Sequence, residues 1–295
     1  MTFRAGFVSF VGRPNVGKST LTNALVGEKI AITSAKPQTT RRAIRGIVHR
    51  PNGQLIVVDT PGLHRPRTLL GERLNDLVGD TLSDVDVIGF CVPANEKIGP
   101  GDQFINGQLD QFRRAKKIAI VTKTELVDRE TLASRLLAVS ALRDFDAIIP
   151  VSALGDDQLD VLTDVLIGLM PESAALYPDD AVTDESVEMR ICELIREAAL
   201  EGVRDELPHS LAVTIDEILP REGKNLIDVH ANVFVERDSQ KSIIIGKGGS
   251  RLRDIGSKSR PEIERLLGSK VFLSIRVKVA PDWQRDPKQL GKLGF

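Results

Sequence analysis

The stretch Gly12-Arg13-Pro14-Asn15-Val16-Gly17-Lys18-Ser19-Thr20 decides how this chain is read. A glycine, four residues and then Gly-Lys-Ser is the pattern of a phosphate-binding loop, and the flanks are those such a loop needs. The apolar run Phe7 to Val11 before it reads as a buried strand, and Thr20 to Leu25 after it reads as the first turns of a helix. The two glycines let the backbone wrap closely round an anion with successive N–H groups aimed inward. The helix N-terminus adds partial positive charge at the same place. Lys18 is then expected to reach the β- and γ-phosphates, and the Ser19 hydroxyl to ligate Mg²⁺. A nucleoside triphosphate site follows.

The second half of that site is expected where another apolar strand ends. Gln54 to Val58 leads into Asp59-Thr60-Pro61-Gly62, and Asp59 stands 41 residues after Lys18. A carboxylate at a strand's carboxyl end can hold Mg²⁺ beside the phosphate loop, and Gly62 leaves its N–H open to a γ-phosphate. Between them the polar segment Ala35 to Arg42 enters a strand at Ala43 to His49. One of its threonines is expected to ligate the metal only when the γ-phosphate is present; sequence does not separate Thr39 from Thr40, and Thr40 is preferred. The catalytic parts are Lys18, Thr40, Gly62 and Asn15. Leu63 stands where Ras-like enzymes carry a water-orienting glutamine, and it cannot hydrogen-bond. His64 reads as an exposed loop histidine. Asn15 is placed to help bind K⁺ near the transferring phosphate. Slow intrinsic turnover, stimulated by RNA, K⁺ or a partner, is the expectation.

Base recognition falls to Thr122-Lys123-Thr124-Glu125 after the strand Ile118 to Val121. Guanine-specific GTPases ordinarily have Asn-Lys-x-Asp here. Glu125 still offers a carboxylate to the guanine N1–H and N2–H₂ donors, whereas adenine would face it with an acceptor and leave it unpaired. Guanine is therefore the expected base, with Thr122 in place of the asparagine that ties this loop to the phosphate loop. Ser152-Ala153-Leu154, after the strand Ala147 to Pro150, matches the element whose backbone meets guanine O6.

A different glycine loop, Ile245-Gly246-Lys247-Gly248-Gly249-Ser250-Arg251, lies near the other end. It fits the Gly-x-x-Gly turn of a KH domain, which clamps about four single-stranded nucleotides. Six Lys/Arg against one Asp between Lys241 and Arg260 give a field that attracts phosphate. Ile243 to Ile245 are expected beneath the loop as an apolar floor. A helical stretch Asp184 to Val203, strands Leu211 to Leu219 and Asn225 to Glu236, the glycine-loop helices, a helix from Pro261 to Leu267 and a strand Val271 to Val279 make the order α-β-β-α-α-β of a type II KH domain. Trp283 can stack on a base or pack against this domain.

The chain's 295 residues suit two domains. The expected fold is an α/β phosphate-loop domain over residues 1–172, a mostly parallel sheet with helices on both faces, then a linker over 173–183 and an α+β type II KH domain over 184–295. Cys91 and Cys192 fall inside apolar elements, so no disulfide framework is indicated and a cytoplasmic protein fits best. No run of 18 apolar residues and no signal-peptide core is present. A monomer is the preferred expectation, and the net charge of −1 leaves the local basic patch undiminished.

The combination Gly-Arg-Pro-Asn-Val-Gly-Lys-Ser, Pro-Gln-Thr-Thr-Arg, Asp-Thr-Pro-Gly-Leu-His and Gly-Lys-Gly-Gly resembles the Era family of bacterial GTPases, from about Gly6 to the C-terminus. The resemblance implies GTP and GDP binding, Mg²⁺, and contact of the KH domain with the 3′ end of small-subunit (16S) ribosomal RNA during maturation of the 30S subunit. It also implies, for some members, peripheral membrane association. A second reading is an RNA-binding protein for other transcripts with a weakly cycling nucleotide site.

Overall fold

The computed structural model describes residues 2–33, 40–62, 68–203, 207–208 and 210–295. Its contacts form two compact units: the first holds residues 2–33, 40–62 and 74–184, and the second holds residues 185–295 together with the short segment 68–73.

In the first unit, β1 (Arg4–Val11) is followed by α1 (Lys18–Val26), β2 (Ile44–Arg50), β3 (Gly53–Asp59), α2 (Leu69–Asp84) and β4 (Val87–Pro93). Then come α3 (Pro100–Gln108), β5 (Lys116–Thr122), α4 (Arg129–Ser140), β6 (Ala147–Pro150) and α5 (Leu159–Leu169). The strands form one sheet in the order β2-β3-β1-β4-β5-β6. All neighbours are parallel except β2 and β3, which run antiparallel with Ile44 opposite Asp59. Alternation along each strand divides the core in two. Val8, Phe10, Leu55, Val57, Cys91 and Ile120 pack on Leu21 of α1 and Leu162 and Leu166 of α5. Val11, Ile56, Val58, Phe90 and Val121 turn the other way, onto Val78, Leu82, Ile105 and Val139. Strands buried on both faces read as continuous apolar runs, which is why β3 and β5 are legible in the sequence.

Residues 173–184, read from sequence mainly as a linker, run along the outer edge of β2 and past the Gln54 side chain of β3. Ile47 N–H donates to Val182 O at 2.9 Å, and Gly46 and Thr183 form an antiparallel bridge. The buried Gln54 side chain accepts from the N–H groups of Leu176 and Tyr177 at 2.7 and 2.9 Å.

The second unit has the order α6 (Val187–Leu200), β7 (Ala212–Pro220), β8 (Leu226–Val235), α7 (Asp238–Ile245), α8 (Ser250–Leu267), β9 (Lys270–Val279) and α9 (Pro287–Leu293). Its sheet is β7-β8-β9, antiparallel then parallel. One boundary differs from the sequence reading. No new helix starts at Pro261: α8 runs through it. An interior proline costs about 3 kcal/mol. Here Ile255, Ser259 and Ile263, four apart, are all buried on one stripe, and that packing holds the helix across the proline. Trp283 is fully buried, donates Nε1–H to Ser210 O at 3.0 Å and stacks on Phe295, so it is a core residue and not a platform for a base.

Candidate functional site

The phosphate loop leaves β1 at Gly12, where a Cβ would lie 2.6 Å from the Cys91 carbonyl oxygen, so only glycine lets the chain pass β4 this closely. Lys18 opens α1 and is buried. Its ammonium folds back into the loop, donating to Gly12 O and Arg13 O at 3.0 Å each. Burial pushes its pKa down, and the Asp59 charge opposes that shift. Pro14 and Asn15 are exposed at the loop's tip, Val16 is buried beneath it, and Ser19 and Thr20 are half-buried on the first turn of α1. Arg13 keeps its place in the loop, and its side chain is held by Asp102 and Glu96, partners the sequence did not indicate.

Three oxygens converge where β3 ends. Asp59 Oδ2 accepts from Ser19 Oγ at 2.8 Å and from Thr40 Oγ1 at 3.0 Å, and the two hydroxyls are 3.2 Å apart. Asp59 is fully buried and its Oδ1 has no hydrogen-bond partner. Burial pushes this carboxyl's pKa up; the Ser19 hydrogen bond, the Lys18 charge and the Thr40 hydrogen bond pull it back. An orphaned carboxylate oxygen beside two hydroxyls is an all-oxygen donor set, which fits Mg²⁺ completed by phosphate oxygens and water. Among the described residues no group of three or more His, Cys, Asp or Glu could hold a metal ion. Thr40 is brought to Ser19 and Asp59; Thr39, Leu63 and His64 lie outside the described residues. Thr60 and Pro61 are buried, and a Cβ on Gly62 would stand 3.9 Å from Lys18 Nζ, so the Asp-x-x-Gly turn does reach the phosphate loop.

The base loop is fastened to the same place. Thr122 Oγ1 donates to Val16 O at 2.6 Å, and Lys123 Nζ to Asn15 O at 2.7 Å. Thr124 follows with its N–H on Val151 O at 3.4 Å, and Glu125 is exposed at the mouth. Ser152 is buried and its Oγ accepts Gly155 N–H at 2.9 Å, shaping the turn that presents Ala153 and the 80% exposed Leu154.

In the second unit, Gly246 to Gly249 join α7 to α8. Gly248 has φ 59 with nothing within 4 Å of where a Cβ would be, so its face is open to a ligand's backbone. Lys247 is exposed there. Arg251 is not: Nη2 donates to Ala199 O and Glu201 O at 3.1 and 2.6 Å, closing the end of α6. Of the expected apolar floor, Ile244 is buried and Ile245 half-buried, whereas Ile243 is 50% exposed. Helical rotation accounts for this, since three consecutive residues cannot share one face.

A family described as "50S ribosome-binding GTPase" matches residues 7–123, and a "KH domain" family matches residues 206–284. The chain is 65% identical over 296 residues to GTPase Era of Mycolicibacterium smegmatis, covering 99% of both proteins. It is 63% identical over 301 residues to GTPase Era of Streptomyces coelicolor, covering 99% of this chain and 95% of that protein. The chain belongs to the Era family of GTPases. An Era crystallised with MgGDPNP and nucleotides 1506–1542 of 16S ribosomal RNA superposes with a TM-score of 0.94 at 35% identity, covering 99% of each chain. An Aquifex aeolicus Era variant bound to GDP·AlF₄⁻ gives the same TM-score, identity and coverage.

As an Era-family GTPase the chain hydrolyses GTP. Sequence reading missed Arg253, whose Nη1 donates to Gly248 O at 2.9 Å and so shapes the glycine loop from one turn into α8. It also missed the carboxylates that receive Arg13. Among a chain's many charged residues, nothing in spacing alone marks such partners.

Proposed function

We propose that this protein is a GTP-driven switch whose KH domain binds the 3′ end of 16S ribosomal RNA and assists maturation of the small ribosomal subunit. The observation that carries it is the Ser19–Thr40–Asp59 cluster, where a residue of the loop before β2 meets the two phosphate-loop-side groups suited to Mg²⁺. The Era neighbour holding MgGDPNP and 16S nucleotides 1506–1542 supports the ligands. In this reading residues 1–172 are the GTPase domain, 173–183 the linker and 184–295 the RNA-binding domain.

Gly12 to Thr20 wrap the phosphates, Lys18 neutralises the β- and γ-phosphates, and Ser19, Thr40 and Asp59 hold Mg²⁺, which when bound offsets charge developing on the phosphoryl group. Thr60 to Gly62 flank the γ-phosphate, and the sequence assigns Leu63 to the same nucleotide-binding set. Thr122 to Glu125 read guanine, and Ser152 to Leu154 approach its O6. The Thr122–Val16 bond supports a working nucleotide site over a degraded one. Ile245 to Gly249 take the RNA backbone. Turnover is slow, on the order of 10⁻⁴ to 10⁻² s⁻¹ without an activator. Among the described residues no helix is long and apolar enough to cross a membrane, and we place the protein in the cytoplasm, with membrane contact confined to the surface.

Crosslinking in cells followed by sequencing of the bound RNA tests this, with Gly248→Asp as control. Enrichment at the 16S 3′ end, lost in the variant while GTP binding persists, is expected. Scattered transcripts, or equal signal from the variant, would overturn the ribosomal target. RNA affinity equal in the GTP-analogue and GDP states would remove the switch.

A further inference from the structure

Arg13 belongs to the phosphate loop by sequence, yet its side chain is spent on the far side of it. Nε donates to Asp102 Oδ1 and Nη2 to Glu96 Oε2, both at 2.8 Å. Asp102 is fully buried, and its second oxygen accepts Gly99 N–H at 2.9 Å, so the carboxylate is held at the start of α3 by a bond that does not involve the arginine. Gly101 forms the floor: a Cβ there would stand 2.8 Å from Arg13 Cδ and 3.3 Å from Cγ. A guanidinium faced by two carboxylates contributes little positive field at the phosphates. Arg13 thus has a seat built for it, and the seat is not the nucleotide. What it does touch is Lys18, through its own backbone: Arg13 O accepts from Lys18 Nζ at 3.0 Å.

We propose that Arg13 is a positioning residue: its clamp on Asp102 and Glu96 over Gly101 holds the phosphate loop open ahead of binding, so that Lys18 and the loop amides are preset for the incoming nucleotide. A loop with two glycines and an exposed tip loses much conformational freedom on binding phosphate, and a tether made beforehand removes that cost. Once the nucleotide is seated, its phosphates hold the loop themselves. The clamp therefore acts on capture of GDP and GTP alike and not on the hydrolytic step. This inference rests on the nucleotide reading of the loop.

Gly101→Ala is the decisive variant, because the added methyl crowds the Arg13 side chain out of its seat while both carboxylates and every residue of the loop keep their identity. Alanine also favours the helix over glycine, so α3 itself is not weakened. Binding of a fluorescent GDP to the full chain is measured for wild type, Gly101→Ala, Arg13→Lys and Arg13→Ala, beside thermal unfolding and single-turnover hydrolysis of prebound GTP. Wild-type binding checks the nucleotide site by itself; the ratio of variant to wild type checks the clamp. Expected are a Kd raised about tenfold in Gly101→Ala and Arg13→Ala, and by less in Arg13→Lys. Gly101→Ala should keep its melting temperature and its single-turnover rate. A Gly101→Ala Kd within about twofold of wild type overturns the clamp. So does an affinity loss that follows a falling melting temperature across the series, or one that appears in the hydrolytic step instead of in binding.

Discussion

The Thr122 hydroxyl donates to the Val16 carbonyl at 2.6 Å, so a threonine ties the base loop to the phosphate loop where related GTPases use asparagine. Both groups are buried, and removing the donor leaves a carbonyl unpaired at a cost of about 1–3 kcal/mol. Thr122→Val, nearly isosteric, should therefore weaken GDP binding about tenfold, whereas Thr122→Asn should stay within about threefold of wild type. Calorimetric titration with GDP measures both. Wild-type affinity in the valine variant would show that the tie is dispensable.

Thr40 touches Asp59 and Ser19 through one hydroxyl. In the proposed switch this residue serves the metal only when a γ-phosphate is bound. Thr40→Ala should lower affinity for a Mg²⁺-bound GTP analogue about tenfold and change GDP affinity far less. Equal losses for the two nucleotides would mean that Thr40 supports the site in general and senses nothing.

Two basic residues of the glycine-loop region should part company. Lys247 is exposed, and Lys247→Ala should reduce the salt dependence of RNA binding by about 0.7 in log–log slope, one phosphate contact on a single strand. Arg251 instead closes α6 through the Ala199 and Glu201 carbonyls. Arg251→Ala should lower stability by about 1–3 kcal/mol and leave that slope unchanged. A flattened slope in Arg251→Ala would return it to the RNA surface.

What the chain declares in its sequence is what local chemistry forces. Gly12 to Gly17 had to be a loop between a strand and a helix, the unbroken apolar run Leu55 to Val58 had to be a doubly buried strand, and Gly246 to Gly249 had to break a helix. What it conceals depends on partners distant in sequence. Arg13 finds Asp102, Arg251 finds Ala199, and Thr40 finds Asp59 only after the chain has folded. Pro261 misleads because a local rule against proline in helices is overridden by the buried stripe of α8.

Glu264 gives a titration handle on the KH domain. One oxygen accepts Val271 N–H and the other Lys270 Nζ, each at 3.1 Å, joining α8 to β9. The backbone hydrogen bond first, and Lys270 after it, hold this carboxyl below its ordinary pKa of 4.5. The charged form is favoured in the fold, so the contribution is complete above pH 4.5 and is lost as pH falls through the depressed folded value. Urea midpoints of wild type and Glu264→Gln should differ at neutral pH and converge in acid. A gap independent of pH would rule this linkage out.

Asn15 lies at the exposed tip of the phosphate loop with φ 64, and its carbonyl accepts the Lys123 ammonium at 2.7 Å. An amide oxygen at this position can help hold K⁺ beside the transferring phosphate, and a fixed positive charge there favours the transition state over the bound substrate. Hydrolysis should then run about tenfold faster in K⁺ than in Na⁺ at equal ionic strength. Asn15→Gly is the variant that isolates the side chain, because glycine adopts this backbone conformation without strain and keeps the carbonyl that receives Lys123. It should bring the K⁺ rate down to the Na⁺ rate while GDP binding persists. Equal turnover of the wild type in the two salts would end the cation hypothesis, and a K⁺ effect surviving in Asn15→Gly would move the ion to other ligands.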